Sequence, residues 1–190
     1  MPLRLLFATL LLVLAAASSA KSTKRGVCWD EKIMVLDSRH SALLSPGVSW
    51  VYNWGPDAAC SSAYSDNFSF EPMAWNGAYD ASRIRAWLGS HPECRYLLGF
   101  NEPNFADQAR MTPAEAAAAW PALEAIAEEY GVKLVAPALN FPASQVGGRL
   151  WNPYEWYDEF FRLYPGARAD CLAMHCYMNW YSANTWFFND

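Results

Sequence analysis

Six short apolar runs punctuate this chain, and between several of them lie longer stretches whose apolar residues recur every three or four positions. The runs fall at residues 26–29, 48–54, 68–75, 95–100, 133–138 and 171–177 and are rich in β-branched and aromatic residues, so they predict strands. Pro72 inside the third removes a ladder donor and predicts a bulge there. Residues 80–88 predict a short amphipathic helix with Ile84, Trp87 and Leu88 on one side. Thr112-Pro113-Ala114-Glu115 is a capping box with proline at the first helical position. The helix it opens runs to about Tyr130, where Gly131 suits the end, and Pro121 inside it predicts a kink near residues 117–120. Asn152-Pro153-Tyr154-Glu155 repeats the start signal before a helix ending near Tyr164. Strands alternating with helices predict a parallel sheet.

Two architectures carry such a sheet, a doubly wound fold and a (β/α)8 barrel. No glycine-rich turn follows the first strand, which removes the main sign of a dinucleotide fold. The strands end instead in Trp29-Asp30, Asn53-Trp54, Trp75-Asn76, Asn101-Glu102, His175 and Tyr177. In a parallel barrel these ends share the active-site face, and a carbohydrate groove there needs such polar and aromatic groups. Composition sharpens this. The chain is 53% hydrophobic and 17% charged, which excludes an intrinsically disordered protein. Its 14 Lys+Arg against 19 Asp+Glu give a net charge of −5, which argues against a nucleic-acid partner. Trp, at 10, is as common as Tyr or Phe, which fits the stacking of flat sugar rings; an aromatic-rich core would give the same numbers.

The sharpest chemistry lies in Leu98-Gly99-Phe100-Asn101-Glu102-Pro103-Asn104, at the end of the fourth strand. A Glu there, before a Pro that stops the ladder, projects into the mouth and can protonate a departing sugar oxygen. Asn101 brings a donor and an acceptor for a sugar hydroxyl. Strict alternation puts Asn101 and Glu102 on opposite faces, so both reach the site only if the strand turns or bulges there.

With these residues in place, the chain resembles glycoside hydrolase family 128, secreted β-1,3-glucanases of clan A built on a (β/α)8 barrel. The matching stretches are Lys24-Arg25-Gly26-Val27-Cys28-Trp29, Val48-Ser49-Trp50-Val51-Tyr52-Asn53-Trp54, and Phe70-Glu71-Pro72-Met73-Ala74-Trp75. Next come the Asn-Glu-Pro stretch, Met111-Thr112-Pro113-Ala114-Glu115-Ala116-Ala117, Trp120-Pro121, Lys133-Leu134-Val135-Ala136-Pro137-Ala138 and Ala173-Met174-His175-Cys176-Tyr177. They arrive in family order across residues 24–177. The resemblance implies a retaining endo-β-1,3-glucanase with Glu102 as general acid/base and Asn101 holding the sugar 2-hydroxyl. It makes Trp54 and Trp75 walls of the glucan groove, and places His175 and Tyr177 near the nucleophile. The implied partner is β-glucan, bound by a monomer with no cofactor and no metal.

The chain also departs from the family. The clan's nucleophile is a Glu ending the seventh strand, residues 178–190 contain no Glu, and six strands are predicted where the barrel has eight. Barrels of this kind usually need ~200–250 residues. Retention needs two carboxyl groups ~5–5.5 Å apart. Asp30 can reach the mouth, whereas Glu71 sits early in its strand where the family prefers an apolar residue; neither is expected to replace the nucleophile. The expectation is therefore a barrel domain over residues 21–190 that is C-terminally incomplete: a fragment, an incomplete gene model or a degenerate relative. A degenerate relative would bind glucan without turnover, which is the alternative function.

Residues 1–20 carry Arg4, an apolar run and Ser18-Ser19-Ala20, the build of a secretory signal peptide, and the run is too short to span a membrane. The expected location is extracellular or cell wall. Secretion permits disulfides, and Cys28, Cys60, Cys94, Cys171 and Cys176 allow at most two. Cys171, His175 and Cys176 leave a metal or redox site as a third, weaker alternative.

Overall fold

The computed structural model describes residues 22–30, 32–58, 67–141 and 143–177. Residues 1–20, Cys60 and residues 178–190 lie outside that description. Five strands form where short β-branched and aromatic runs were predicted: β1 (Gly26–Cys28), β2 (Trp50–Tyr52), β3 (Ser69–Phe70), β4 (Tyr96–Leu98) and β5 (Lys133–Val135). Every strand pair is parallel, with Val27 opposite Val51, Val51 opposite Phe70, and Leu97 opposite Leu134. The bridge Met73↔Leu98 joins the two sheets, and Val135↔Cys171 and Leu139↔Met174 add a sixth segment. Each segment thus pairs with the next in the chain. The predicted strand at 171–177 is reduced to these isolated bridges.

Pro72 explains why the third strand is so short. Ser69 and Phe70 pair with β2, while Met73 pairs with β4. Pro72 has no N–H to give, but its carbonyl accepts from Leu98 N at 2.9 Å, so the segment gains β4 as a partner while Met73 N still donates to Gly55 O on the β2 side. Glu71, beside it, is fully buried. Its Oε1 accepts from Ser69 Oγ at 2.7 Å, and its Oε2 accepts from the backbone N–H groups of Arg95 and Tyr96, both at 2.9 Å. The carboxylate that the sequence left unexplained therefore fills the ladder gap beside Pro72, on the β4 side.

The helices are α1 (Ser38–Leu44), α2 (Ala81–Ser90), α3 (Pro113–Tyr130) and α4 (Pro153–Leu163). Asp80 caps α2 through Ser82 N and Arg83 N, and Ile84, Trp87 and Leu88 are its buried residues. The capping box of α3 forms as predicted: Glu115 N donates to Thr112 Oγ1 at 3.2 Å and Thr112 N to Glu115 Oε2 at 2.7 Å. Gly131 ends the helix at φ 65°, in the left-handed region that glycine enters without strain. The predicted kink does not interrupt α3, which continues through Pro121 on its exposed face. Asn152 caps α4 through Glu155 N. Helix α1, capped by Asp37, was not predicted; Ser41 is its only buried residue, so it shows no apolar stripe.

The core lies between the sheet and these helices. Trp120 of α3 meets Phe100 and Phe160 edge-on, each at 5.6 Å between ring centroids. Trp156 stacks on Phe160 at 5.5 Å, and both indole nitrogens find carbonyls, Trp120 that of Arg168 and Trp156 that of Met111. Burying a ring of this size contributes on the order of 3 kcal/mol. A Cβ on Gly99 would stand 2.6 Å from Val135 O and 2.9 Å from the Trp120 ring, so only glycine lets α3 sit this close to the sheet. Cys28, Cys94, Cys171 and Cys176 are free, and burial pushes the Cys94 thiol up to about 12. Among the described residues no helix is long and apolar enough to cross a membrane.

Candidate active site

The turn after β4 departs from strand geometry at Glu102, whose φ is 44°. A non-glycine residue in the left-handed region costs about 1–3 kcal/mol, and a following proline adds to the constraint. This reversal breaks the alternation that would have sent Asn101 and Glu102 to opposite faces. Both line one cleft. Asn101 N donates to Trp75 O and Glu102 N to Ala138 O, so the turn is bonded to the neighbouring strand ends on either side.

Glu102 is only 6% exposed. Its Oε1 receives His175 Nδ1 at 2.8 Å and Asn140 Nδ2 at 3.3 Å. Its Oε2 takes no hydrogen bond among the described residues. Asn101, 3% exposed, donates through Nδ2 to Gln108 Oε1 at 3.0 Å, and its Oδ1 is buried without a partner. A buried acceptor left open in this way is costly unless something donates to it. Asn104 fixes the turn from behind, its Nδ2 donating to the carbonyls of Asn140 at 2.6 Å and Trp151 at 3.1 Å.

The cleft has a volume of about 860 Å³, and Asp30, Trp54, Trp75, Asn101, Glu102 and Tyr177 are among the residues that line it. Trp54 reaches the lip through its own left-handed φ of 62°, in a turn where Gly55 N donates to Asn53 Oδ1. Its ring meets Tyr52 edge-on at 5.3 Å. Burial, with the Cys28 side chain beside it, pushes the Tyr52 phenol up to about 12. Burial and then the Glu102 charge also raise the Tyr177 phenol, so both stay neutral hydrogen-bonding groups near neutral pH.

The six residues singled out in the sequence therefore converge. Trp54, Trp75, Asn101, Glu102 and Tyr177 line the cleft, and His175 stands behind Glu102 as its hydrogen-bond partner. Asn140 and Gln108 were missed. Asn140 follows the fifth strand and had the same signal as the residues that were named, a polar side chain at a strand's C-terminal end. Gln108 lies in a loop and has no such signal. Of the other carboxylates considered, Asp30 reaches the cleft with Oδ1 accepting from Lys32 N, while Glu71 is committed to the strand backbone. Asp57, also on the cleft, is held bidentately by Arg83 at 2.5 and 2.8 Å. Among the described residues no group of three or more His, Cys, Asp or Glu could hold a metal.

A family model described as the glycosyl hydrolase catalytic core matches residues 26–189. No curated protein matches the chain. A subgroup II endo-β-1,3-glucanase of glycoside hydrolase family 128 from Pseudomonas viridiflava is 42% identical, with a TM-score of 0.72 over 83% of this chain and 62% of its own. Another of subgroup II, from Sorangium cellulosum, is 33% identical, with a TM-score of 0.66 over 87% and 66%. A subgroup I endo-β-1,3-glucanase from Amycolatopsis mediterranei, solved with laminaritriose, is 30% identical, with a TM-score of 0.62 over 85% and 61%. The chain thus spans less than two thirds of the length of these structures.

Proposed function

Because this chain belongs to the glycosyl hydrolase catalytic core family, we propose that it acts on β-1,3-glucan as a retaining endo-glucanase, with Glu102 as general acid and base. The observation that carries the reading is the asymmetry of Glu102. With His175 in the tautomer that carries its proton on Nδ1, Oε1 accepts from both His175 and Asn140, and a proton on the carboxyl then resides on Oε2, the oxygen without a protein partner. Both donors stay on Oε1 whether Oε2 carries a proton or not, so the carboxyl need not reorient between its two roles. As acid, Glu102 gives that proton to the glycosidic oxygen while the bond from that oxygen to the anomeric carbon breaks. As base, the carboxylate takes a proton from the water that attacks the anomeric carbon in the second step. The open Oδ1 of Asn101 accepts from the 2-hydroxyl of the reacting sugar, a contact that orients the ring. Trp54 and Trp75 supply the apolar walls, and Tyr177 the neutral phenol at the edge. The carboxylate that attacks the anomeric carbon is assigned to none of the described residues.

Binding without turnover is the second reading, and one observation favours it. The two other carboxylates on the cleft are both engaged, Asp57 by Arg83 and Asp30 by Lys32 N. Laminaritriose and laminarihexaose decide between the readings. Under the first, the chain cuts laminarihexaose and Glu102→Gln stops it while binding persists. Under the second, both proteins bind and neither cuts.

The same proposal extends the parallel strand order to a (β/α)8-type barrel, of which about six βα units fall in this chain. It treats residues 1–20 as a secretory signal that delivers a monomer to the cell wall or the medium. N-terminal sequencing of the recovered protein is expected to begin at Lys21; a secreted chain that still began at Met1 would remove the signal from the reading.

A further inference from the structure

Apart from Leu150 and Leu163, the exposed large apolar side chains of the described residues fall into three groups. Ile33, Met34, Val35 and Leu43 follow β1, and Leu172, Met174 and Tyr177 belong to the sixth segment, so two groups accompany the outermost segments of the described sheet. The third does not. Phe141 is 55% exposed and Tyr154 62%, and both belong to the βα unit of β5, which is paired on both sides. An edge of the sheet does not account for their exposure. The two rings meet edge-on at 6.3 Å between centroids, forming a small aromatic surface in solvent.

This surface is tied directly to the catalytic turn. Phe141 N donates to Asn140 Oδ1 at 2.8 Å, and the same Asn140 side chain donates to Glu102 Oε1. Asn104 Nδ2 holds the carbonyls of Asn140 and Trp151 together, which brackets the loop between Phe141 and Tyr154 from both ends. Nearby, Arg149 lies 4.0 Å over the Trp151 ring, so that indole face is already covered.

We propose that Phe141 and Tyr154, outside the lining of the cleft and next to Asn140, form a further sugar-binding platform that stacks β-1,3-glucan residues after they have passed Glu102. The inference rests on the glucan reading of the cleft and adds a second contact region to it. The apolar C–H faces of pyranose rings suit such rings, and the continuity with Glu102 through Asn140 fixes glucan as the occupant. A short ligand fills the cleft alone; a longer one reaches the platform, so the platform reports chain length.

Isothermal titration of the full chain, in an E102Q background so that nothing is cut, tests this with laminaritriose and laminarihexaose. Phe141→Ala with Tyr154→Ala is expected to weaken laminarihexaose roughly tenfold, the scale of two lost ring contacts, and to leave laminaritriose unchanged. Phe141→Leu with Tyr154→Leu, which keeps apolar bulk but no ring, should show the same loss, and Tyr154→Phe should show none. Equal weakening of both sugars, or no weakening of either, overturns the platform alone. If the E102Q protein with its platform intact binds neither sugar, the glucan reading falls and takes the platform with it.

Discussion

Glu71 and Glu102 are two buried glutamates, one just after β3 and the other after β4, and they are held in opposite ways. Glu71 spends both oxygens on the protein: Ser69 on one, two backbone N–H groups on the other. Glu102 spends one oxygen on His175 and Asn140 and leaves the other open. A buried carboxylate whose oxygens are both satisfied is part of the scaffold, whereas one left half satisfied is available for a proton or a substrate. Position separates them too. Glu71 precedes β4 and bonds its first backbone groups, while Glu102 follows β4 at the end that opens on the cleft.

One substitution made at both sites breaks or sharpens this contrast. Glu102→Gln removes the transferable proton and keeps the shape. Turnover should fall about 10²–10⁴-fold, with the melting temperature nearly unchanged. If that variant melts much lower while still cutting glucan, the two sites have been assigned the wrong way round. Glu71→Gln can keep its carbonyl on the two backbone donors and turn its amide to Ser69, so it should cost little. Glu71→Ala leaves both backbone N–H groups unpaired and should cost on the order of 3 kcal/mol, read by urea unfolding. An alanine variant as stable as the parent would mean that the gap beside Pro72 needs no closing.

The smallest expected effect comes from a third carboxylate, exposed on the surface. Glu115 sits well below the usual carboxylate range, first because Thr112 N donates to it and then through the Thr112 hydroxyl. A lowered folded-state value means that its stabilisation is present above the ordinary glutamate range and is lost as pH falls through the lowered one. Thermal melts of the parent and Glu115→Gln should differ by about 0.5 kcal/mol at pH 7 and converge as pH falls through the lowered folded-state value. A difference that stayed constant down to acid unfolding would separate the cap from the charge.

The parts legible in the sequence were those with local causes. Capping residues marked two helix starts, apolar spacing marked α2, Gly131 marked an end, and β-branched and aromatic runs marked five strands. Helix α1 was missed because nearly all of it faces solvent, so hydrophobic periodicity had nothing to register. The strand-end rule led to the cleft residues, and Pro103 correctly raised the question of a turn at Glu102. The hold on Glu102 was not legible, since Asn140 and His175 lie 38 and 73 residues away in the chain. The role of Glu71 was equally hidden: its partners are backbone groups, and no residue type announces them.

The order of the sheet has a consequence for how the chain is made. Each parallel segment pairs with the one just before it, and Trp120 meets Phe100 from the preceding strand end and Phe160 from the following helix. A ribosome releasing the chain from its N-terminus therefore delivers each new segment to a partner already waiting. The fold can be assembled during synthesis, one βα unit at a time.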